Sequence, residues 1–338
     1  MKFEENKNLK SLNTFGIKSI AKYFISIKNK SELIDLYNNE IFKNNKIFVL
    51  GSGSNILLPD YFDGLIISID ILGIEVSEEN DKYSLKVQSG ENWHKFVEFT
   101  VDNNYYGLEN LALIPGKVGA APIQNIGAYG IEQKSFFHSC EYFNLDDGNF
   151  YTLTKEECDF SYRNSIFKNK LKNKALISEV IYKLNKHPDY NITYNELKNA
   201  FEGKNFDAKD IFDLVCSVRN KKLPDPKLLG NSGSFFKNPI VKISEEKDLK
   251  KPFSELKYFE NDENSIKISA AWLIESVGLK GYRIGDAGVS ENHSLILVNY
   301  ANASSKNIME LANYIIDKVF EEFGIKLEME VNLIWKKN

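Results

Sequence analysis

One serine in the sequence has neighbours that suit proton transfer. The stretch "GNSGSFFKNP" (230–239) places Ser234 after Gly233 and before Phe235 and Phe236. Glycine makes the backbone pliable, and bulky rings can keep water away from a reactive group. The stretch is not the nucleophile elbow G-x-S-x-G, because Ser234 stands where the last glycine would be. A serine without a partner base can still protonate a strongly basic carbon, whereas the same letters also fit a plain turn followed by core residues.

Charged residues elsewhere could act on an anionic substrate. The stretch "FSYRNSIFK" (160–168) places Arg163 among aromatic residues, where a guanidinium is costly unless it meets an anion. The stretch "LEMEV" (327–331) puts Glu328 and Glu330 on one face of a predicted strand. A structural ion pair for the arginine and a solvated strand edge for the glutamates remain open alternatives.

Two loops of small residues could hold a cofactor. Loop 1, "GSGSN" (51–55), follows an apolar strand, and its backbone N–H groups and hydroxyls could approach an anion. It contains neither G-x-G-x-x-G nor GK[ST], so neither a Rossmann fingerprint nor a P-loop is indicated. Loop 2, "IPGKVGAAPIQNIGAYG" (114–130), has four glycines, two prolines and one charged residue, Lys117. Two such loops favour a nucleotide-type cofactor over plain turns.

The elements that must position these residues mix strands and helices without a regular alternation. This pattern predicts the α+β class rather than a doubly wound sheet. The predicted strands and hairpins are 46–58, 64–71, 82–90, 140–153, 175–184, 293–299 and 326–335. The predicted helices are 92–104, 207–223, 269–278 and 304–324. "KLPDPKLLG" (222–230) breaks the chain twice with proline and is the best candidate for a domain boundary.

Length and composition limit the classes of function. The chain of 338 residues is too long for one ordinary core. With 43 basic and 47 acidic residues it lacks the basic surplus of a nucleic-acid binder. Its three cysteines show no CxxC spacing, so neither a disulfide framework nor a metal site is expected. Because no apolar run approaches about 20 residues and the N-terminal stretch is polar, we expect no membrane span and a cytoplasmic location.

The motifs together resemble one enzyme family over nearly the whole chain. "LGSGSNIL", "IPGKVGAAPIQNIGAYG", "YRNSIFK", "KLPDPK", "GSFFKNP" and "AAWLIESVGLKG" are similar, in order and spacing, to motifs of the UDP-N-acetylenolpyruvoylglucosamine reductases. "TYNEL" (193–197), with Tyr194, resembles the form of this family that has an extra tyrosine-bearing loop. The resemblance implies a two-subdomain FAD-binding fold of the vanillyl-alcohol-oxidase type plus a separate α+β substrate-binding domain. The implied division is 1–64 with 326–338 returning to it, then 65–215, then 216–325.

The resemblance also implies an activity, in peptidoglycan precursor synthesis. NADPH would reduce a non-covalently bound FAD and leave, and UDP-N-acetylglucosamine enolpyruvate would take its place. A hydride from flavin N5 and a proton from Ser234 would then give UDP-N-acetylmuramate. Arg163 would hold the substrate carboxylate, and Glu330 would assist as a hydrogen-bonding acid or positioning group. We expect a monomer that binds neither nucleic acid nor membrane.

Residues in this sequence match the family's binding positions. The implied FAD contacts are Gly51, Ser52, Gly53, Ser54, Asn55, Gly116, Gln124, Asn125, Gly127, Tyr129 and Ile177. The implied nucleotide contacts are Tyr194, Arg219, Lys222 and Asn238. Two positions depart from some relatives: Ala121 replaces a serine, and Asn332 stands where an arginine occurs. Glu328 is the rival carboxylate to Glu330.

Two other functions are compatible with parts of this pattern. A sugar or alcohol oxidase on the same flavin fold would consume oxygen and ignore UDP-sugars. Many such oxidases attach the flavin through a histidine, and no histidine lies in loop 1 or loop 2. A non-catalytic flavin- or nucleotide-binding module would not need Arg163, Ser234 and Glu330 together.

Overall fold

The computed structural model describes residues 1–334, and it separates into two compact units by its contacts. Unit 1 comprises Met1–Lys7, Ala21–Ser52 and Asp63–Arg219. Unit 2 comprises Asn8–Ile20, Gly53–Phe62 and the described residues from Asn220 onward. The predicted class, a mixture of helices and strands with an FAD-binding fold, is confirmed by the elements below and by the relatives described with the site.

The helices and strands follow one another irregularly. The helices are α1 Lys30–Tyr37, α2 Glu40–Lys43, α3 Trp93–Asp102, α4 Asn195–Phe201, α5 Ala208–Lys222, α6 Ala270–Ser276 and α7 Ser305–Phe323. The first strands are β1 Glu4–Asn8, β2 Ile20–Ile27, β3 Lys46–Leu50, β4 Ile56–Leu57, β5 Tyr61–Ile69, β6 Ile74–Glu79, β7 Lys82–Gln88, β8 Gly127–Ala128, β9 Ile131–Glu132 and β10 Phe137–Asn144. The others are β11 Phe150–Thr154, β12 Ala175–Asn185, β13 Gly230–Ser234, β14 Ile240–Lys242, β15 Tyr258–Asp262, β16 Ser265–Ile268, β17 Arg283–Ile284, β18 Ala287–Val289, β19 Ile296–Asn299 and β20 Asn332–Leu333.

Unit 1 holds two larger sheets, each with its own core, and the two-stranded pair β8-β9. The sheet β1-β2-β5-β3 lies mainly in this unit, and β3 runs parallel to β5. Leu33 and Leu36 of α1 pack on that sheet in a core that also includes Ile67. The antiparallel sheet β11-β10-β12-β7-β6 forms the second core with α3 and α5. The apolar spacing of 92–104 and the turn residues of 140–153 therefore predicted the right helix and hairpin.

Unit 2 is built around α7 and the sheet β13-β19-β18-β17. Ser304 and Asn307 form a reciprocal cap at the start of α7, and Gly324, with φ 72°, ends it in the left-handed conformation. One face of this helix, including Ile308 and Ile315, is buried with Phe235 and Phe236 in the core of the unit. A smaller sheet, β14-β16-β15, and the parallel pair β20-β4 complete the sheets of the unit among the described residues.

Two predictions about local structure are wrong. The predicted strand 326–335 is reduced to β20, with one isolated bridge between Met329 and Phe236, and residue 335 lies outside the described residues. The stretch 230–234 is a strand, β13, rather than a turn, because it pairs with β19. Alternating side chains predicted an extended segment at the end of the chain but not how little of it finds a partner strand.

The predicted three-domain division stays a prediction. The border at 64/65 falls inside β5 and the border at 215/216 falls inside α5, so neither lies in a loop. Both predicted FAD-binding subdomains fall largely in unit 1, which does contain two separate cores. No helix among residues 1–334 has both the length and the apolar character needed to cross a membrane.

Candidate active site

Loop 1 follows β3 and makes a turn that requires glycine. Gly53 has φ 66°, and a Cβ there would lie 2.1 Å from the carbonyl oxygen of Leu12. The N–H of Thr14 donates to the Gly53 carbonyl over 3.1 Å. The backbone of residues 12–14 therefore packs directly against the loop, and a larger residue at position 53 would displace it.

Asn55, at the end of loop 1, is tied to the last described segment of the chain. Its side-chain amide donates to the Glu330 carbonyl over 3.4 Å. In return, the backbone N–H and the side-chain amide of Asn332 donate to the Asn55 carbonyl over 3.1 and 3.0 Å. Asn332, which differs from the arginine of some relatives, thus fixes the backbone beside both Asn55 and Glu330. Sequence reasoning missed this contact because no local pattern links residues so far apart.

Loop 2 follows a path held by the residues just before α3. The N–H of Trp93 donates to the Gly116 carbonyl over 3.1 Å, and the N–H of Val118 donates to the Glu91 carbonyl over 2.8 Å. Two single 3-10 turns follow, Val118–Ala120 and Pro122–Gln124. Prolines and glycines prevent any longer helix, so the prediction that 114–130 has no regular helix or strand holds except for the two residues of β8.

Lys117, the single charged residue of loop 2, anchors the loop to β5. Its ammonium group donates to the Ile69 carbonyl over 2.6 Å and to the Asp70 carboxylate over 2.7 Å. Burial would raise the pKa of Asp70, but hydrogen bonds from Lys117 and Ser26 and the charge of Lys117 bring it below its ordinary value. A lone lysine in an otherwise uncharged loop was the sequence signal for this anchor.

The two loops approach each other closely within unit 1, at Gly51 and Ala120. A Cβ built on Gly51 would lie 3.7 Å from the Cβ of Ala120. Small residues on both loops allow this approach and present peptide groups rather than side chains. Buried Ala121 offers no hydroxyl here. Ile177, another predicted FAD contact, is buried in the core of the five-stranded sheet. These features fit a large flat cofactor held by backbone groups.

Asn125 is fully buried, and its side chain is used within the protein. Its amide donates to the Glu132 carboxylate over 2.8 Å and to the Ser161 carbonyl over 3.2 Å. Its amide oxygen accepts the N–H of Lys134 over 3.2 Å. Any contact from Asn125 to a cofactor would therefore come from its backbone, which is left-handed at φ 45°. The side chain instead joins loop 2 to the turn that carries Arg163.

Arg163 lies at the tip of a tight turn in a strained backbone conformation. Ser161 and Asn164 exchange backbone hydrogen bonds of 3.2 Å, and Arg163 between them has φ 52°. Its guanidinium donates to the Gly127 carbonyl of loop 2 over 2.9 Å and lies 5.3 Å from the ring of Tyr162. The turn and the aromatic ring fix the direction of a long side chain that is only partly buried.

Two tyrosines and a second arginine lie near Arg163 in unit 1. The rings of Tyr129 and Tyr194 meet edge to face with centroids 5.0 Å apart. Burial raises the pKa of Tyr129 to about 12, although the charge of Arg219 acts in the opposite direction. Burial also lowers the pKa of Arg219, and the charge of Arg163 adds to this effect. Predicted cofactor and substrate residues are therefore brought together here.

Arg219 has a hydrogen-bond donor that lacks an acceptor within the described residues. Its Nε atom is buried and has no hydrogen-bond partner among residues 1–334. A buried guanidinium donor without an acceptor costs free energy, so such groups are uncommon in folded proteins. Beside a second arginine, this donor is suited to an anionic ligand such as a diphosphate or carboxylate.

In unit 2, β13 presents Ser234 to the surface while burying its neighbours. Ser234 lies opposite Ile296 of β19 and is exposed, whereas Phe235 and Phe236 are buried. The pairing register shifts between Asn231 and Ser234, at Gly233 with φ 71°. Such a bulge changes the direction of the following side chain. The phenylalanines are thus core residues, and the role of the exposed hydroxyl stays a prediction.

The backbone of Glu330 lies beside the residue that follows Ser234. The N–H of Glu330 donates to the Phe235 carbonyl over 2.8 Å, and the N–H of Lys237 donates to the Glu328 carbonyl over 2.9 Å. Glu328 is exposed and forms an ion pair with Lys237, whereas Glu330 is only partly exposed. The backbone of Glu330 is thus hydrogen-bonded to the residue that follows Ser234, and the choice between the two carboxylates stays a prediction.

The remaining predicted residues are distributed over both units. Asn238 in unit 2 accepts the N–H of Ala270 over 3.0 Å through its side-chain oxygen, near the start of α6. Lys222 is exposed at the end of α5. Ser52, Ser54 and Gln124 are partly buried. Asn238 therefore has a structural contact that the sequence did not indicate.

Comparison with known proteins agrees with this geometry. Residues 21–154 match the family model of an FAD-binding domain, and residues 225–334 match the C-terminal domain of UDP-N-acetylenolpyruvoylglucosamine reductase. The fold and the site thus define an oxidoreductase with an FAD-binding domain.

The full-length relatives narrow the class to one family. The chain is 47% identical to a UDP-N-acetylenolpyruvoylglucosamine reductase of Flavobacterium johnsoniae over 99% of this chain and 100% of that protein. It is 44% identical to the reductase of Shewanella oneidensis over 97% and 96% of the two chains. The chain belongs to the UDP-N-acetylenolpyruvoylglucosamine reductase family.

A solved structure has the same fold. The UDP-N-acetylenolpyruvylglucosamine reductase of Thermus caldophilus superposes with a TM-score of 0.70 over 98% of this chain and 99% of that chain. The two sequences are 24% identical, so this likeness concerns the fold alone.

Proposed function

We propose that the protein uses NADPH and FAD to reduce UDP-N-acetylglucosamine enolpyruvate to UDP-N-acetylmuramate, in the cytoplasmic synthesis of peptidoglycan precursors. The observation that carries this proposal is the 47% identity to the Flavobacterium johnsoniae reductase over 99% of the chain. The meeting of loop 1 and loop 2 and the two arginines near Tyr129 and Tyr194 support it from the structure.

The FAD would lie against the peptide groups of loops 1 and 2. Its contacts would come from the eleven predicted residues, Gly51, Ser52, Gly53, Ser54, Asn55, Gly116, Gln124, Asn125, Gly127, Tyr129 and Ile177. When bound, FAD accepts a hydride from NADPH and later passes it from N5 to the terminal vinyl carbon of the substrate. Gly51 lets loop 1 approach Ala120 of loop 2, and Lys117 keeps loop 2 attached to β5.

Arg163 would stabilise the charge that hydride addition creates. Negative charge then develops on the carbon next to the substrate carboxylate and spreads onto its oxygens. Arg163 would donate to that carboxylate through its guanidinium, whose fork of N–H donors matches a carboxylate and whose direction is fixed by the bond to the Gly127 carbonyl. Since the strained turn holds the donor in place beforehand, little reorganisation is needed when the charge appears.

Ser234 would complete the reaction by donating the hydroxyl proton to the same carbon. A positioned general acid contributes roughly 10²–10⁴-fold in rate. The exposed position of Ser234 after the bulge at Gly233 leaves its Oγ accessible to a substrate. Glu330 would assist as a hydrogen-bonding acid, because its backbone is fixed next to Phe235.

The nucleotide part of the substrate would be bound by Tyr194, Arg219, Lys222 and Asn238. The buried Nε of Arg219 would gain from a diphosphate or carboxylate oxygen the acceptor that it lacks among the described residues. Tyr194 and Tyr129 provide an aromatic surface beside it. This assignment explains why a costly buried arginine is retained.

The overall reaction can be tested by the colour of the purified protein. The proposal predicts a yellow protein that NADPH bleaches under anaerobic conditions. Colour should return only when UDP-N-acetylglucosamine enolpyruvate is added, and UDP-N-acetylmuramate should accumulate. Rapid return of colour with oxygen together with indifference to the sugar nucleotide would instead indicate an oxidase.

Replacement of Ser234 separates the two half-reactions. In Ser234→Ala, bleaching by NADPH should keep its wild-type rate, while reoxidation by the enolpyruvyl substrate should slow by about 10²-fold or more. Stopped-flow absorbance of the flavin measures both rates.

Ser232→Ala is the matched control, since it removes a hydroxyl from the same strand. The Ser232 hydroxyl is buried and has no hydrogen-bond partner among residues 1–334, so its loss should leave both rates unchanged. A Ser234→Ala enzyme with normal reoxidation would remove Ser234 from the mechanism.

A further inference from the structure

The first two residues of α3 hold the segment 111–116, which leads into loop 2, through three hydrogen bonds. The indole N–H of Trp93 donates to the Leu111 carbonyl over 2.9 Å, and its backbone N–H donates to the Gly116 carbonyl over 3.1 Å. Between these two contacts, the N–H of Leu113 donates to Nδ1 of His94 over 3.1 Å. Of these three hydrogen bonds, the one accepted by His94 has a side-chain acceptor, and the other two have backbone carbonyl acceptors.

Leu113 is held in a conformation that leucine avoids. Its φ is 56°, in the left-handed region where a bulky residue is an outlier. Its hydrogen bond to His94 orients the peptide group immediately before loop 2 begins at position 114. A strained peptide persists only where its surroundings determine it, and here His94 provides that constraint.

The ring of His94 is itself fixed against α5. It stacks on Phe212 with centroids 5.4 Å apart and an interplanar angle of 9°. Because Nδ1 accepts a hydrogen bond, a neutral ring carries its proton on Nε2. The imidazole thus joins three elements: its own helix α3, Phe212 on α5, and the backbone of Leu113 just before loop 2.

We propose that neutral His94 is a positioning residue for FAD, holding the left-handed Leu113 peptide so that loop 2 keeps its cofactor-binding conformation, and that protonation of His94 releases it. This inference rests on the proposed FAD site. When both ring nitrogens carry protons, Nδ1 becomes a donor facing the donor N–H of Leu113. The contact then changes from attraction to repulsion.

The charges around His94 favour the neutral form. Burial lowers its pKa most strongly, and Arg219, Lys209 and Lys95 act in the same direction, whereas the charge of Glu98 opposes them. From the segment before loop 2, the group facing the ring is the Leu113 N–H. The acceptor is therefore intact at neutral pH, and FAD affinity should fall only as the pH drops below the ordinary histidine range, about 6.5.

Three variants test this role through FAD binding rather than turnover. His94→Phe keeps a ring on Phe212 but removes the acceptor, and its dissociation constant for FAD should rise about tenfold at about pH 8. His94→Asn keeps an acceptor near the position of Nδ1 and should bind FAD within about twofold of the wild type. His187→Phe, at an exposed histidine, is the control and should bind as the wild type does. Flavin fluorescence in a titration of apoprotein measures the constants.

The pH profile distinguishes positioning from packing. Between about pH 8 and pH 5, the wild type and His187→Phe should lose affinity, whereas both His94 variants should show a much flatter profile. A His94→Asn protein as weak as His94→Phe, or a His94→Phe protein with wild-type affinity and profile, would overturn the inference. If His94→Phe does not fold, the comparison of the wild type with His94→Asn decides. A wild type that binds no FAD at about pH 8 would instead refute the proposed function.

Discussion

At the scale of single residues, the site uses backbone conformations that most side chains avoid. Asn125, Tyr129 and Arg163 have φ values of 45°, 49° and 52°, and none of them is glycine. Each such residue costs of order 1–3 kcal/mol and persists only where its surroundings compensate. Asn125 is compensated by four side-chain hydrogen bonds and Arg163 by the turn from Ser161 to Asn164. Three of the nine non-glycine residues with positive φ in the described part of the chain are thus proposed ligand contacts.

Arg163→Lys tests whether the guanidinium acts as more than a positive charge. Lysine has the same backbone cost at φ 52° and keeps the charge, so stability should change by less than about 0.5 kcal/mol. A single ammonium cannot bind a carboxylate through two parallel N–H bonds, so kcat/KM for the enolpyruvyl substrate should fall about 10²-fold or more. Steady-state kinetics and thermal unfolding provide the two measurements.

The control for this substitution is Arg283→Lys. Arg283 lies on the surface, pairs with Asp286 and covers the ring of Tyr300. Its replacement should leave kcat/KM unchanged. Wild-type kinetics in Arg163→Lys would show that charge alone is sufficient, and the proposed role of the arginine would then fail.

At the scale of elements, the sequence predicted four of the seven helices among the described residues, α3, α5, α6 and α7, and fewer than half of the strands. The predicted elements are those whose signals are local. Helix α5 begins next to Asp207, whose carboxylate accepts the N–H of Asp210 over 2.9 Å, as a capping residue should. The hairpin of β10 and β11 follows its Asp-Gly turn. The short extent of β20 and the strand β13 were not predictable, because each depends on a partner distant in the chain. Pairing partners are set by tertiary contacts, which local patterns do not record.

The same distinction applies to the candidate site. The glycines of loop 1 and the small residues of loop 2 marked a ligand cradle in the sequence. The hydrogen bonds of Asn332 to Asn55, and of Leu113 to His94, left no comparable mark. Residues that contact a ligand were therefore recognisable by type and motif, whereas the residues that position them were visible only in the fold.

Gly53→Ala tests the close approach of loop 1 to residues 12–14. Alanine at φ 66° costs roughly 1–2 kcal/mol, and its Cβ would also lie 2.1 Å from the Leu12 carbonyl oxygen, so the backbone must shift. We expect the free energy of unfolding to fall by more than about 2 kcal/mol, and FAD to bind more weakly. Denaturant unfolding and a flavin titration measure the two effects.

Gly16→Ala isolates the clash from the backbone conformation. Gly16 has φ 63°, nearly that of Gly53, but nothing lies within 4 Å of an added Cβ. Its replacement should cost only about 1–2 kcal/mol and leave FAD affinity unchanged. Equal losses in the two variants would show that the contact with Leu12 does not matter.

At the scale of the whole molecule, each unit contains a partly buried histidine whose pKa is lowered. Burial lowers the pKa of His94 in unit 1. Burial also lowers the pKa of His293 in unit 2, with the charges of Lys222 and Lys280 acting in the same direction. The Leu295 N–H donates to Nδ1 of His293 over 3.3 Å, so this ring too acts as an acceptor. Each unit therefore has a histidine whose neutral form is favoured in the folded protein.

These histidines predict that stability falls in mild acid. Below their ordinary pKa of 6.5, the unfolded chain takes up protons that the folded chain does not bind, so the free energy of unfolding decreases as the pH falls toward the lowered folded-state values. Asp70 contributes the same amount to the free energy of unfolding throughout mild acid and neutral pH, because its pKa is lowered below the ordinary 3.8. Glu109 acts in the opposite direction, because burial raises its pKa and its contribution is lost as the pH rises through the raised value.

Comparing histidine variants with the wild type separates the effect of the histidines from the effects of Asp70 and Glu109. The thermal midpoint of the wild type should be lower at about pH 5.5 than at about pH 7.5, and the double variant His94→Asn, His293→Asn should show a smaller difference between the two. The double variant His138→Asn, His187→Asn, at exposed histidines, should keep the wild-type difference. An equal decrease in all three proteins would mean that carboxylates, rather than the imidazoles of His94 and His293, set the acid sensitivity of the fold.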